Sequence, residues 1–255
     1  MRARLVVIAL LVIASRADAD PPPNGVAFAT IAYAGTTIDV VTVDLRKAQL
    51  GVFWRDEHGA RLARLHAVRD LLRRRGDRPL AITNAGIFAP NTPSGLHIES
   101  GRRLHSLNLA STNGNFGMKP NGVFFVDGTG AAILESNEFA KRGERGVQLA
   151  TQSGPLLLRA GAVHDKFAPR STNALPRSGV GVASKDRVIF AITRGPIRFY
   201  DFAVLFRDQL GCPNALYLDG VISQLWAPSL RLEDDGGDFM GMLAVWEREA
   251  KKPLR

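Results

Sequence analysis

Residues 26–44 read VAFATIAY-AG-TTIDVVTVD, two runs of Val, Ile, Thr and aromatic residues either side of Ala34-Gly35. β-branched side chains are stiff in a helix and fit a pleated surface, so the pattern predicts strands at Val26–Tyr33 and Thr36–Asp44 joined as a hairpin. Outward from there the same grammar recurs: short apolar runs cut by Gly, Asp or Asn. It predicts further strands at Leu50–Trp54, Pro79–Thr83, Ala215–Leu218 and Met240–Trp246. Pairs are expected for Leu96–Glu99 with Arg102–Leu107, for Val123–Val126 with Ala131–Glu135 across Asp127-Gly128-Thr129-Gly130, and for Val180–Ala183 with Arg187–Thr193. Val147–Thr151 and Pro155–Arg159 bracket a kink at Gln152-Ser153-Gly154.

Helical spacing shows clearly in two places. Leu62, Leu65, Val68, Leu71 and Leu72 share one face of Arg61–Arg75, with arginines opposite and Gly76 as the stop. Phe202, Leu205, Phe206 and Leu210 share a face in a second helix, which Asp201 is expected to cap and Gly211 to end. The expectation is an α+β fold: a mostly antiparallel or mixed sheet with two main helices packed on one side, forming a single compact domain.

The N-terminus reads as an export signal: Arg2 and Arg4, an apolar run from Leu5 to Ala14, then Ala17-Asp18-Ala19 as a small-x-small cleavage site. The run is too short to span a membrane, which takes roughly 20 residues. Cleavage near Ala19 leaves a domain of residues 20–255, periplasmic or extracellular, with no stable membrane insertion; three arginines and one aspartate leave with the signal, taking the charge from +9 to +7. Arginine makes up 26 of the 33 basic residues, and no basic stripe is interleaved with aromatics, which argues against a nucleic-acid partner. The single cysteine, Cys212, rules out disulfides within the chain and cysteine-based zinc sites, and reads as a buried structural thiol. The histidines show no metal-ligand spacing. Glu233-Asp234-Asp235 lacks the alternation of a calcium loop and reads as solvated. No metal site or cofactor is expected, with a divalent cation left open, and the sequence says nothing of oligomeric state.

Four glycine-punctuated motifs carry the chemistry: Asn84-Ala85-Gly86-Ile87-Phe88, Gln152-Ser153-Gly154-Pro155, Arg177-Ser178-Gly179-Val180-Gly181 and Leu218-Asp219-Gly220-Val221-Ile222-Ser223. Each puts a polar group beside a glycine at the end of an apolar run, where a rigid scaffold presents side chains to a ligand. Asp219 can take a proton from water, attack an electrophilic carbon, or merely hold a turn, since Asp-Gly is an ordinary turn pair. Arg177 is either a two-pronged anion clamp or one surface arginine among many. Asn84, Gln152 and Ser153 read as hydrogen-bonding groups. Ser153 lacks the glycine spacing of a hydrolase nucleophile elbow and a partner histidine nearby in sequence.

Taken together and in this order, the four motifs resemble those of the phosphodiester glycosidase family, over roughly Thr83 to Pro228. The Gln-Ser-Gly-Pro motif is present unchanged, whereas Ala85, Val221 and Ile222 stand where the family pattern has glycine. The resemblance implies an exported hydrolase that cleaves a sugar from a glycosyl-1-phosphodiester, with a sugar-phosphate diester or anionic glycan as partner. It implies Asp219 and Arg177 as catalytic residues, and Asn84, Gly86, Gln152, Ser153, Gly154, Gly220 and Ser223 as substrate-binding ones. Glu99 is a further candidate acid. The rival readings are a non-catalytic glycan-binding or exopolysaccharide-assembly protein of the same fold, and a serine esterase using Ser153.

Overall fold

The computed structural model describes residues 24–233 and 236–247; the expected signal segment, the C-terminal basic tail, Asp234 and Asp235 lie outside them. Within this range the strands follow the reading closely. Val26–Tyr33 and Thr36–Asp44 form the expected hairpin in register Val26 with Val43 through Tyr33 with Thr36. Among the described residues the strand pairings are antiparallel, as the mostly antiparallel reading expects.

The strands form three principal sheets rather than one. A seven-stranded sheet runs from the N-terminal hairpin through Arg187–Thr193, Ser178–Ser184 and Asn214–Asp219 to Leu156–Arg159 and Ala162–Val163. A five-stranded sheet contains Gly122–Asp127, Gly130–Glu135, Leu149–Ser153, His97–Glu99 and Arg102–His105. A four-stranded sheet joins Leu225–Trp226, Pro79–Asn84, Met242–Glu247 and Ala48–Phe53. Their inner faces share one core, in which Val41, Val180, Phe190 and Leu216 meet Phe124, Ile133 and Leu149, and Ala81, Leu243 and Val245. Strand alternation delivers one apolar set inward; the other set needs separate cover.

Each sheet has its own helix on the outer face. Leu65–Arg74 buries Leu65, Val68, Leu71 and Leu72 against Ile82, Trp226 and Ala244 of the four-stranded sheet. Arg73 and Arg74 lie in its last turn, where cations complement the exposed carbonyls. Phe199–Val204, continuing as a π turn over Leu205–Gln209, packs Phe202, Leu205 and Phe206 on Leu157, Ile189 and Ala191 of the seven-stranded sheet. Arg198, not Asp201, occupies its N-cap; Asp201 lies within the first turn and pairs with Arg198.

The expectation of two main helices on one sheet is therefore corrected to three sheets, each with a helix, plus one further short turn at Gly114–Gly117. The third helix, Ser136–Arg142, was missed at the sequence level. It buries Phe139 against Phe125 of the five-stranded sheet, and its start is a capping box: Glu135 accepts from the Asn137 and Glu138 amides while Glu138 reaches back to Glu135 N.

Cys212 is buried beneath the second helix, and burial pushes its thiol up to about 12, which fits the structural reading and removes it as a nucleophile. No helix of the described residues is long and apolar enough to cross a membrane.

Candidate active site

The strand ends of all three sheets meet at one corner. Asn84 ends its strand in the four-stranded sheet, Ser153 ends its strand in the five-stranded sheet, and Ser178 begins and Asp219 ends neighbouring strands of the seven-stranded sheet. Hydrogen bonds tie the three together. Asn84 Nδ2 donates to Ser178 Oγ at 3.0 Å, and Ser153 Oγ donates to the Leu218 carbonyl at 2.9 Å. Ile87 N donates to Ser153 Oγ at 3.1 Å, and Gly86 N to Thr151 Oγ1 at 3.2 Å. Sequence-distant motifs are thus brought to one place by sheet ends.

Ser178 is the hub, a residue inside the quoted Arg177 motif that the sequence reading had not singled out. Besides Asn84, its hydroxyl receives Ser223 Oγ at 2.8 Å and the Asp219 amide at 3.2 Å. Asn84 Oδ1 accepts the Gln224 amide at 3.2 Å, which locks the turn after Asp219 to the four-stranded sheet. Asn84, Ser178 and Ser223 therefore form a backing for Asp219.

A register shift re-aims the acid. Gly179 faces Tyr217, yet the next residue, Ser178, faces Asp219, so Leu218 is an extra residue on its strand. Such a bulge bends a strand end and turns the side chain that follows it. Asp219 is half-buried, its Oδ1 accepts the Gly220 amide at 2.7 Å, and burial pushes its carboxyl up to about 6 despite that bond. A carboxyl poised there can exchange protons near neutral pH.

Arg177 is fully buried, which excludes the surface reading. Its guanidinium lies flat on Phe199, 3.4 Å from Cζ to ring centroid, and Phe199 stacks in turn on Phe167 and Phe167 on His164. Nε donates to the Ile197 carbonyl at 2.9 Å, Nη2 makes longer contacts of 3.3 Å to Asn173, and Nη1 has no hydrogen-bond partner. Among the described residues no carboxylate pairs with it. Burial lowers its pKa below the ordinary guanidinium value, which the Tyr217 side chain opposes.

Tyr217 joins the two charged groups. It was read only as part of an apolar strand, yet the Asp219 charge acts on its hydroxyl and the Arg177 guanidinium lies 5.7 Å from its ring centroid. Burial and then the nearby Asp219 charge push its hydroxyl up to about 12, while Arg177 and Asn115 act in the opposite direction. Asn115 Nδ2 lies 3.5 Å from that hydroxyl, and a Cβ placed on Gly220 would stand 2.8 Å from it. The phenol stays protonated, a neutral donor between a cation and an acid.

The other expected site residues fall behind this surface. Gln152 is buried with its amide fully engaged: Oε1 accepts the Leu96 and Asn108 amides at 3.0 and 2.9 Å, and Nε2 donates to Asn108 O at 2.7 Å and Ser136 Oγ at 2.9 Å. It pins a loop and has no hydrogen-bonding capacity left for substrate. Gln152→Met leaves those partners unpaired, so we expect a loss of roughly 2–4 kcal/mol in a denaturant melt, with KM of the folded fraction unchanged. Ser153 is likewise buried with both hydroxyl roles taken and no histidine bonded to it, which argues against the esterase reading.

Gly86 and Gly154 are close-approach positions. An added Cβ would lie 2.5 Å from the Gln152 carbonyl oxygen in the first case and 2.6 Å from Asn121 Cβ in the second. Backbone cannot yield as a flexible side chain does, so Gly86→Ala is expected to destabilise by roughly 1–3 kcal/mol, read as a lower melting temperature. Gly179 and Gly181 of the Arg177 motif serve packing also, since a Cβ at either would meet Phe206. Glu99 does not join the corner: it accepts the Trp54 amide at 3.2 Å and lines a separate cavity with Arg55, Arg75 and Arg102. Among the described residues no group of three or more His, Cys, Asp or Glu is placed to hold a metal ion.

Comparisons with known proteins bear on family and fold. The uncharacterized protein YigE of Escherichia coli K12 is 31% identical over 210 residues, covering 82% of each chain. Among solved structures, the catalytic domain of zebrafish N-acetylglucosamine-1-phosphodiester alpha-N-acetylglucosaminidase, auto-inhibited by its pro-peptide, superposes with a TM-score of 0.59 over 88% of this chain and 82% of that one, at 14% identity. A hypothetical protein from Synechocystis gives 0.52 over 88% and 62%, at 16% identity. A putative exported protein of Burkholderia pseudomallei gives 0.50 over 84% and 74%, at 11% identity. At such identities the likeness is one of fold. The sequence model of the phosphodiester glycosidase family matches residues 77–238, the span that holds all four motifs and the corner where they meet. The chain belongs to the phosphodiester glycosidase family.

Proposed function

We propose that this protein is an exported hydrolase that releases a sugar from a glycosyl-1-phosphodiester, with Asp219 and Arg177 as its catalytic residues. The observation that carries the proposal is that a buried guanidinium without a partner carboxylate, 5.7 Å from the Tyr217 ring, and an acid with a raised pKa both act on that one phenol. A buried cation with an unpaired Nη1 is a standing demand for an anion.

The chemistry follows from the charges. Breaking the bond between the anomeric carbon and the phosphate oxygen sends the electron pair onto that oxygen. A phosphate is already a weak base and needs no full proton, only donors for its charge, which Arg177 and the Tyr217 hydroxyl supply. The carbon left behind is oxocarbenium-like. Asp219 acts there as a carboxylate, either bonding to the carbon or taking the proton of the water that does. The products are the free sugar and a phosphomonoester. Ser223, Ser178 and Asn84 hold Asp219 and its turn in place.

The test is incubation of the purified protein with a panel of glycosyl-1-phosphomethyl diesters, with release of reducing sugar as the readout. Release that Asp219→Asn removes supports the reading. Binding of the diesters with no release by the wild-type protein would make it a glycan-binding protein instead.

A further inference from the structure

Among the described residues the large apolar side chains that stand exposed are Leu109, Leu175, Val221 and Ile222, with Val221 at 68%. Single exposed apolar residues scattered over a surface carry no message, but these are not scattered. Val221 and Ile222 follow Asp219 and Gly220 directly, in the turn closed by Ser223 N donating to the Gly220 carbonyl. Leu175 lies two residues before Arg177, and the intervening Pro176 carbonyl is near Gly220. Leu109 is on the loop that leads to Asn115, which reaches the Tyr217 hydroxyl. Each therefore sits on a segment that also supplies a residue of the charged corner.

Sugars are recognised by hydroxyl partners, which these side chains cannot offer. We propose that the site takes an amphiphilic substrate, a glycosyl phosphodiester whose phosphate carries an alkyl or acyl chain, with Val221 and Ile222 as the specificity-determining contacts for that chain. This rests on the proposed hydrolysis and names the substrate class for it. The placement fits: the phosphate is held at Arg177, and its second substituent must leave past the segments flanking Arg177 and Gly220, where the apolar side chains stand. An anionic head on an apolar tail matches a buried cation whose neighbouring segments carry exposed Leu, Val and Ile side chains.

The test uses glycosyl-1-phosphomethyl and glycosyl-1-phosphododecyl diesters, both below the micellar concentration of the latter, with wild type and the double variant Val221→Ser, Ile222→Ser. Binding by calorimetry is measured beside turnover, so that the two ideas fail separately. The wild type is expected to bind the dodecyl diester at least about tenfold more tightly than the methyl diester. Its kcat/KM should show the same preference, and the double variant should reduce it to about twofold or less. A preference in binding with no sugar release from either diester would sink the hydrolase and leave the amphiphile site standing. Equal affinity and equal turnover for the two diesters in the wild type would sink the amphiphile site alone. Equally tight binding of an uncharged dodecyl glycoside would also overturn it, since the chain would then bind independently of the anion. So would loss of anionic phosphatidylglycerol vesicle binding in the double variant with the soluble-diester preference intact, which makes the rim a membrane-docking surface.

Discussion

Asp219→Asn is expected to lower kcat/KM on a glycosyl-1-phosphodiester by about 10³-fold or more, while making the folded protein more stable above pH 6. The two effects share one cause. Burial raises the carboxyl from its ordinary 3.8 to about 6, so the folded state holds the proton more tightly than the unfolded chain does. The ionised carboxylate therefore costs stability. That cost is absent below the unfolded value, grows between 3.8 and about 6, and is complete above it. Asparagine keeps the acceptor for the Gly220 amide and removes the charge. The variant should gain on the order of 2 kcal/mol at pH 7.5 and nothing at pH 3.5, measured by urea unfolding. In the wild type, a role for the ionised form predicts that kcat/KM rises with pH through about 6 and then levels. A fall through that pH would assign Asp219 as a general acid instead, and no loss of activity in Asp219→Asn would remove it from the mechanism.

Arg177→Met is expected to reduce kcat/KM by about 10²–10³-fold, the range for loss of a donor at developing charge, with a melting temperature equal to or above that of the wild type. Removing a buried cation usually destabilises when it strands a partner carboxylate, but Arg177 has none. Methionine can occupy the slot against Phe199 without the desolvation that lowers the arginine pKa. What is left unpaired is the Ile197 carbonyl and the Asn173 contacts. The decisive measurement is the pair of numbers together: lost turnover with retained stability marks an arginine kept for an anion. A variant that unfolds and keeps its specific activity would mark Arg177 as structural support for the aromatic column. A buried Arg177 and a half-buried Asp219 are charges that a fold selected for stability alone would discard.

Much of this was legible in advance for a physical reason. Strand positions were clear because Val, Ile, Thr and aromatic runs alternate with Gly, Asp and Asn, a local code read residue by residue. Val26–Asp44 shows it best, pairing as the expected hairpin. The helix at Leu65–Arg74 was clear because its apolar face repeats at helical spacing. The helix at Ser136–Arg142 was passed over because it has barely two turns and one large buried apolar side chain, Phe139, although Glu135 and Glu138 spell its start. Asp201 was misplaced as a cap because an acid suits the first turn as well as the cap itself, and the helix starts two residues before it. The acidic Asp219 and its glycine stood out at the end of an apolar run, as did Arg177.

The sequence alone determined the longer strands, two of the helices, the four polar strand ends and the family resemblance, since each depends on neighbours along the chain; two-residue strands such as Ala162–Val163 and Leu225–Trp226 were missed. Only the tertiary structure decided that three sheets share the core and that their ends converge. It separated Arg177, whose Nη1 is left without a partner, and the half-buried Asp219 from Gln152 and Ser153, whose hydrogen bonds are all internal. The physical reason is that a glutamine or serine beside a glycine looks the same in sequence whether it faces a ligand or a neighbouring loop. Its available donors and acceptors are counted only after distant segments have claimed theirs.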